Sequence, residues 1–169
     1  MKKSGIIYLF LVLSVIMAGC TISYKFNGAS IDYTKVKTIS IKDFPNQAPL
    51  VYPPLSQFTE GVKDIYVRQT RLSLVRDNGD LQLEGEITGY DLTPMAVKED
   101  AYSSKTKLTI TVKVRYTNRT NADEDFEQSF SAYREFDSNV MIQDVQDQLC
   151  SEIIEELADQ IYNSTVANW

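Results

Sequence analysis

Residues 105–117 read Lys-Thr-Lys-Leu-Thr-Ile-Thr-Val-Lys-Val-Arg-Tyr-Thr. Apolar side chains stand at Leu108, Ile110, Val112, Val114 and Tyr116, and polar ones at Thr109, Thr111, Lys113 and Arg115. Successive side chains of a strand point to opposite faces, so this alternation describes a strand with one apolar and one polar side. A sheet of such strands must cover its apolar face, and helices with one apolar stripe each are the economical cover.

The neighbouring sequence repeats the pattern. Leu81 to Leu92 sets Leu81, Leu83 and Ile87 against Gln82, Glu84, Glu86 and Thr88. Residues 93–104 read as a loop and Asn118 to Asp125 as a polar turn, followed by a strand from Phe126 to Tyr133 with Phe126, Phe130 and Ala132 in phase. Arg71 to Arg76 is a strand with Leu72 and Leu74 on one face. Asn78-Gly79, between Asp77 and Asp80, accepts the positive φ angles of a type I′ turn. That predicts a tight hairpin with Leu74 opposite Leu83. Val36 to Asp43 is a short strand with Ile39 and Ile41 on one side and Thr38, Ser40 and Lys42 on the other. Pro45, Pro49, Pro53 and Pro54 make residues 44–54 an irregular connection.

Two segments have helical spacing. Leu55 to Thr70 places Leu55, Phe58, Val62 and Ile65 on one stripe, with Gly61 inside it. Val140 to Tyr162 steps by four through Val145, Leu149, Ile153, Leu157 and Ile161, with Asp144, Gln148, Glu155, Glu156 and Asp159 on the other side. The order β-α-β-β-β-β-α predicts an α+β two-layer sandwich: a mixed, mostly antiparallel sheet with two helices packed on one face. The first helix spans a crossover long enough to set strands one and two parallel.

Composition narrows the function. The chain has 169 residues, 17 Lys+Arg and 23 Asp+Glu, for a net charge of −6. A protein that grips nucleic acid through overall charge is excluded. There is no histidine, which removes Ser-His-Asp and Cys-His catalysis and any His-ligated metal. No cofactor is expected, and no metal.

The first twenty residues read as a secretory leader. Lys2 and Lys3 form a positive start, Ile6 to Met17 an apolar run too short to span a bilayer, and Ala18 and Gly19 a small-residue cleavage site. Met17-Ala18-Gly19-Cys20 is similar to the bacterial lipobox, in which the cysteine is acylated, with palmitate among its chains, and becomes the first mature residue. Several acyl chains at ~0.8 kcal/mol per buried CH₂ hold a protein stably in a membrane. None of Thr21, Ile22 and Ser23 is acidic. By resemblance to lipoprotein sorting patterns, the expected position is the outer membrane, facing the periplasm. The chain then divides into a signal peptide over 1–19, a lipidated lead-in over 20–35 and one domain over 36–169. Cys150, the second cysteine, would have no intrachain partner and reads as a buried structural thiol on the last helix.

Few residues suggest chemistry. Glu84 and Glu86 share one face of a strand, which is not the split pair that acid–base catalysis needs. Asp123, Glu124 and Asp125 lie in a turn without converging ligands for calcium. No catalytic residue is expected. Lys105, Lys107, Lys113 and Arg115 all fall on the polar face of one strand and form a candidate stripe for phosphate groups, such as those of an acidic glycolipid. The competing reading is cross-strand pairing: a register with Lys113 opposite Glu86 also sets Arg115 opposite Glu84. Lys105 and Lys107 lie near the loop and have fewer acidic neighbours, so they are the better ligand candidates. The chain also has 10 tyrosines, a residue suited to interfaces.

Taken whole, the chain resembles the LPS-assembly lipoprotein family, the LptE family, in its Bacteroidota-like form. The resemblance is carried by Tyr24 to Ile31, Lys37-Thr38-Ile39-Ser40-Ile41, Thr70 to Val75 and Gly79-Asp80-Leu81. It continues through Glu84 to Tyr90, Leu108-Thr109-Ile110, Phe130 to Tyr133 with Phe136, and Ala167-Asn168-Trp169. It implies a sheet with two helices on one side and no catalysis. It also implies a lipid-anchored protein that sits partly inside an LptD-type outer-membrane barrel, plugs it, helps it assemble, and aids LPS insertion. The basic residues above come from face arithmetic, not from the family. The rival class is a periplasm-facing envelope lipoprotein that binds a glycan or other ligand without a barrel partner.

Overall fold

A computed structural model describes residues 31–49, 55–95 and 104–166. The elements run β1 (Thr38–Ile41), α1 (Leu55–Gln69), β2 (Ser73–Val75), β3 (Leu81–Pro94), β4 (Lys105–Asn118), β5 (Phe126–Asp137) and α2 (Ile142–Thr165). A 3-10 turn at Ala122–Glu124 joins β4 to β5. The five strands form one open sheet in the order β2-β1-β3-β4-β5. β1 runs parallel to both its neighbours, while β3, β4 and β5 are antiparallel. The α+β two-layer sandwich expected from the pattern is the observed architecture.

The core forms where the apolar stripes meet. Leu108, Ile110, Val112, Val114 and Tyr116 of β4 are buried, with Leu81, Leu83 and Ile87 of β3 beside them. Phe58, Val62 and Ile65 of α1 and Leu149, Ile153, Leu157 and Ile161 of α2 belong to the same cluster. Each fully buried aliphatic or Phe side chain contributes ~1.5–3 kcal/mol. Gly61, an awkward residue for a helix interior, sits where α1 meets α2. A Cβ there would lie 3.1 Å from the Ile154 side chain, so the missing side chain lets the helices close. Arg134 of β5 points to the helix side and reaches Glu152 at 2.9 Å, and also Glu156, which ties α2 to the sheet edge.

The Asn78-Gly79 hairpin is corrected. β2 does not pair with β3, because β1 lies between them: Ile39 is opposite Leu74 on one side and Leu81 on the other. Residues 76–80 form a crossover laid over β1 on the face away from the helices. A type I′ turn needs positive φ at both central residues. Asn78 has φ 56, but Gly79 does not have a positive φ. Gly79 serves a different purpose: a Cβ there would stand 2.5 Å from the Ser40 nitrogen and 2.8 Å from the Ile39 carbonyl carbon. Asp80 then fastens the crossover. Its carboxylate accepts from the Lys37 N–H at 2.9 Å, the Thr38 N–H at 3.0 Å and the Thr38 hydroxyl at 2.9 Å. These bonds, the Lys37 N–H foremost, hold the carboxyl below the usual Asp range. Leu74, placed by the hairpin reading opposite Leu83 on the apolar face, is instead exposed.

The predicted β3–β4 register is observed, with Glu84 opposite Arg115 and Glu86 opposite Lys113. It shifts between Ile87 and Gly89, where a bulge reverses the phase of the strand. Tyr90 is therefore buried although its even number would have sent it outward, and its hydroxyl accepts from Gln146 at 2.8 Å. The expected loop begins later than read, since Thr93 and Pro94 still pair with β4. β5 likewise continues past Tyr133 to Asp137.

Candidate functional site

The face of the sheet opposite the helices carries the polar residues of β3, β4 and β5. Near β1 it is a closed charge network. Lys42 reaches Glu84 at 2.9 Å; Arg115 reaches Glu84 at 3.2 Å and Glu127 at 2.7 Å; Lys113 also pairs with Glu127. Lys42, Glu84, Glu86, Lys113, Arg115 and Glu127 line a shallow groove of about 300 Å³. The bond from Lys42 keeps the Glu84 carboxyl below its ordinary value, and those from Lys113 and Arg115 do the same for Glu127. Neither acid is raised into the range of a proton donor at neutral pH, so the pair is not set up for acid–base chemistry.

In the middle of the face Thr109 is opposite Tyr133 and Thr111 opposite Ser131, with Asp91 of β3 opposite Thr109 on the other side. Toward the loop end, Lys105 pairs with Glu135 at 3.3 Å. Lys107 makes no ion pair among the described residues. Its Nζ stands 5.3 Å from the centre of the Tyr133 ring, and that ring is 53% exposed. An ammonium over an aromatic face keeps its charge and its donors available for a third group.

The four residues singled out from the sequence thus share one face, in two groups. Arg115 is paired by acids of both flanking strands, and Lys113 by Glu127 of β5. Lys105 has an acid that the sequence reading missed, and Lys107 has an aromatic neighbour instead. The missed residues are Lys42, Glu127, Tyr133 and Glu135. The three on β5 are odd-numbered: the alternation of the strand as read would have placed Glu127 and Tyr133 on this face, and carrying it on to Asp137 would have added Glu135.

Other candidates have structural roles. Cys150 is buried, and burial raises its thiol to about 11, which leaves it unreactive at neutral pH. Asp125 accepts from the Asn118 N–H at 2.7 Å, and Glu124 from the side chains of Asn118 and Asn121, so these acids shape the turn. No cluster of three metal-ligating side chains occurs among the described residues. No helix among them is long and apolar enough to cross a membrane. Cys20, the leader and most of the lead-in lie outside the described residues.

Solved structures share this fold at low identity. A minor lipoprotein from Acinetobacter baumannii superposes with a TM-score of 0.51 at 16% identity, over 79% of this chain and 94% of that one. Uncharacterized lipoprotein B from Nitrosomonas europaea gives 0.54 at 14%, over 78% and 83% of the two chains. Rare lipoprotein B from Shewanella oneidensis gives 0.52 at 12%, over 74% and 92%. No curated protein matches the chain. The family model described as LptE, lipopolysaccharide-assembly, matches residues 36–165, from just before β1 to the end of α2. The chain therefore belongs to the LptE lipopolysaccharide-assembly family.

Proposed function

We propose that this protein is a non-enzymatic lipoprotein of the outer membrane, held through Cys20 at the periplasmic side, that partners and plugs an LptD-type barrel. In that place it helps the barrel assemble and helps LPS enter the outer membrane. The observation that carries the reading is the family match over the whole described fold. The open face of the sheet supports it. A plug inside a barrel lumen meets polar side chains and water, and this face offers hydroxyls and self-neutralised charge instead of an apolar patch.

Within this reading Lys105, Lys107, Lys113 and Arg115 contact LPS phosphates, with Lys107 foremost because no acid competes for it among the described residues. The experiment is a tagged pull-down of the lipidated protein from detergent-solubilised outer membrane, with mass spectrometry of its companions. A large barrel protein recovered in near-equal amount is the expected result. Recovery of no barrel, while other outer-membrane complexes stay intact, points to the ligand-binding lipoprotein instead. Lys107→Gln is expected to weaken LPS retention by the purified protein and to leave barrel recovery unchanged.

A further inference from the structure

The two margins of the sheet are guarded differently. β2 ends one side with 3 residues, and β5 ends the other with 12. Edge strands are kept from pairing with other chains by shortness, by lysine or proline, or by a bulge. β5 has none of these. It contains no Lys and no Pro, and its register with β4 runs from Lys105/Asp137 to Tyr116/Phe126 without a shift. The Ser138 N–H donates to the Ser104 carbonyl at 3.0 Å, which sets the phase of the ladder: the even-numbered residues of β5 bond to β4. The odd-numbered ones turn their N–H and C=O groups outward. Two of those carbonyls are occupied, that of Tyr133 by the Arg134 guanidinium at 2.9 Å and that of Asp137 by the Val140 N–H at 2.9 Å. Glu127, Ser129 and Ser131 keep both backbone groups without a partner among the described residues.

Charge says what kind of strand fits there. From Phe126 to Thr165, the span of β5 and α2, nine Asp or Glu stand against one base, Arg134. Glu127 and Glu135 lie on the open face of β5, and Arg134 draws Glu152 and Glu156 of α2 to the same margin on the other face. A strand added beside β5 therefore meets carboxylates whichever way its side chains alternate. A second copy of this chain is a poor occupant. Antiparallel self-pairing about Ser131 sets Glu127 opposite Glu135, and one step along it sets Glu127 opposite Asp137, and like charges directly opposite repel. We propose that the outer edge of β5, centred on Ser129 and Ser131, accepts an extended basic segment of a partner protein as a sixth strand. Main-chain bonds to the odd-numbered residues hold the segment, and its Lys or Arg side chains select it through the acids of β5 and α2. This does not depend on the partner being the barrel.

The probe is a blocked peptide of alternating Lys and Val, titrated into the 15N-labelled full mature protein in detergent and followed by NMR. The amide signals of Ser129 and Ser131 are expected to shift and their hydrogen exchange to slow several-fold, while the ladder amides of Gln128 and Phe130 change little. A peptide of alternating Glu and Val is expected to leave all of them in place. Ser131→Pro and Ser129→Pro each remove one outward N–H and spare the bonds to β4, since the even-numbered residues make those. Each is expected to abolish the response to the Lys-Val peptide, and Ser131→Ala to preserve it. Far-UV circular dichroism checks that the variants are folded, and the second proline guards against the failure of the first. No shift on β5 at millimolar peptide overturns the proposal. So does a response that survives in a folded proline variant, or one that the Glu-Val peptide matches.

Discussion

The two faces of β4 hold the same number of side chains per turn of the pleat and do opposite work. Leu108, Ile110, Val112 and Val114 are at most 1% exposed, locked between the sheet and two helices. The residues between them, Thr109 to Arg115, look out from the sheet and find their partners sideways, on β3 and β5. One face is closed by packing and tolerates no loss of volume. The other is closed by charge exchange among long, solvated side chains, and such exposed pairs add little to stability. A strand divided this way can keep its fold while its outer surface is adapted to a partner.

The largest effect is expected on the covered face. Leu108→Ala should lower the unfolding free energy by about 2–5 kcal/mol in urea titration, since the site is fully enclosed. If Lys113→Ala on the outer face costs as much, the contrast fails. Gly79→Ala should cost about 1–3 kcal/mol, because the new Cβ must displace the backbone of β1. It would show that close packing also operates on the open side wherever chain crosses chain. Asp80→Asn should cost about 1 kcal/mol through weakened bonds to Lys37 and Thr38. The folded-state pKa of Asp80 is depressed, so its contribution is complete above the ordinary Asp value of 3.8 and is lost as pH falls through the lower folded value. Asp80→Asn should therefore flatten the acid limb of the stability profile. The smallest change is expected for Glu127→Gln: an unaltered melting temperature at neutral pH, with Lys113 released and Arg115 left to Glu84 alone. If the outer face meets phosphate, this variant should retain LPS more strongly than the wild type, measured on the purified protein.

The antiparallel half of the sheet was legible because two independent signals agreed there. The alternation of β4 set its faces, and opposite charges at 84/115 and 86/113 set its register. The parallel half was not, because a glycine reads the same whether it supplies a positive φ or merely lacks a side chain. Asn-Gly between two short apolar runs suggested a hairpin, while the small polar residues Thr38 and Ser40, which give the crossover its path, carried no comparable signal. The bulge near Thr88 escaped for a similar reason: an inserted residue leaves the local composition of a strand unchanged. On the candidate site, the basic residues of β4 were visible from their numbering. Glu127 and Tyr133 needed only the alternation of the strand read from Phe126 to Tyr133, whereas Glu135 depended on where β5 ends, and strand ends are set by neighbours more than by local sequence.

The place of β1 has a mechanical consequence. It is the shortest strand but one, yet it is bonded along both edges, and residues 76–80 pass over its outer face. It is also the first strand among the described residues. A tether pulling through the lead-in would load β1 along its length, so the ladders to β2 and β3 would have to shear together and could not peel one bond at a time. The Asp80 carboxylate grips Lys37 and Thr38, the residues where that load arrives. Under such a load β1 would act as a wedge, held by two strands and strapped in by the loop that joins them.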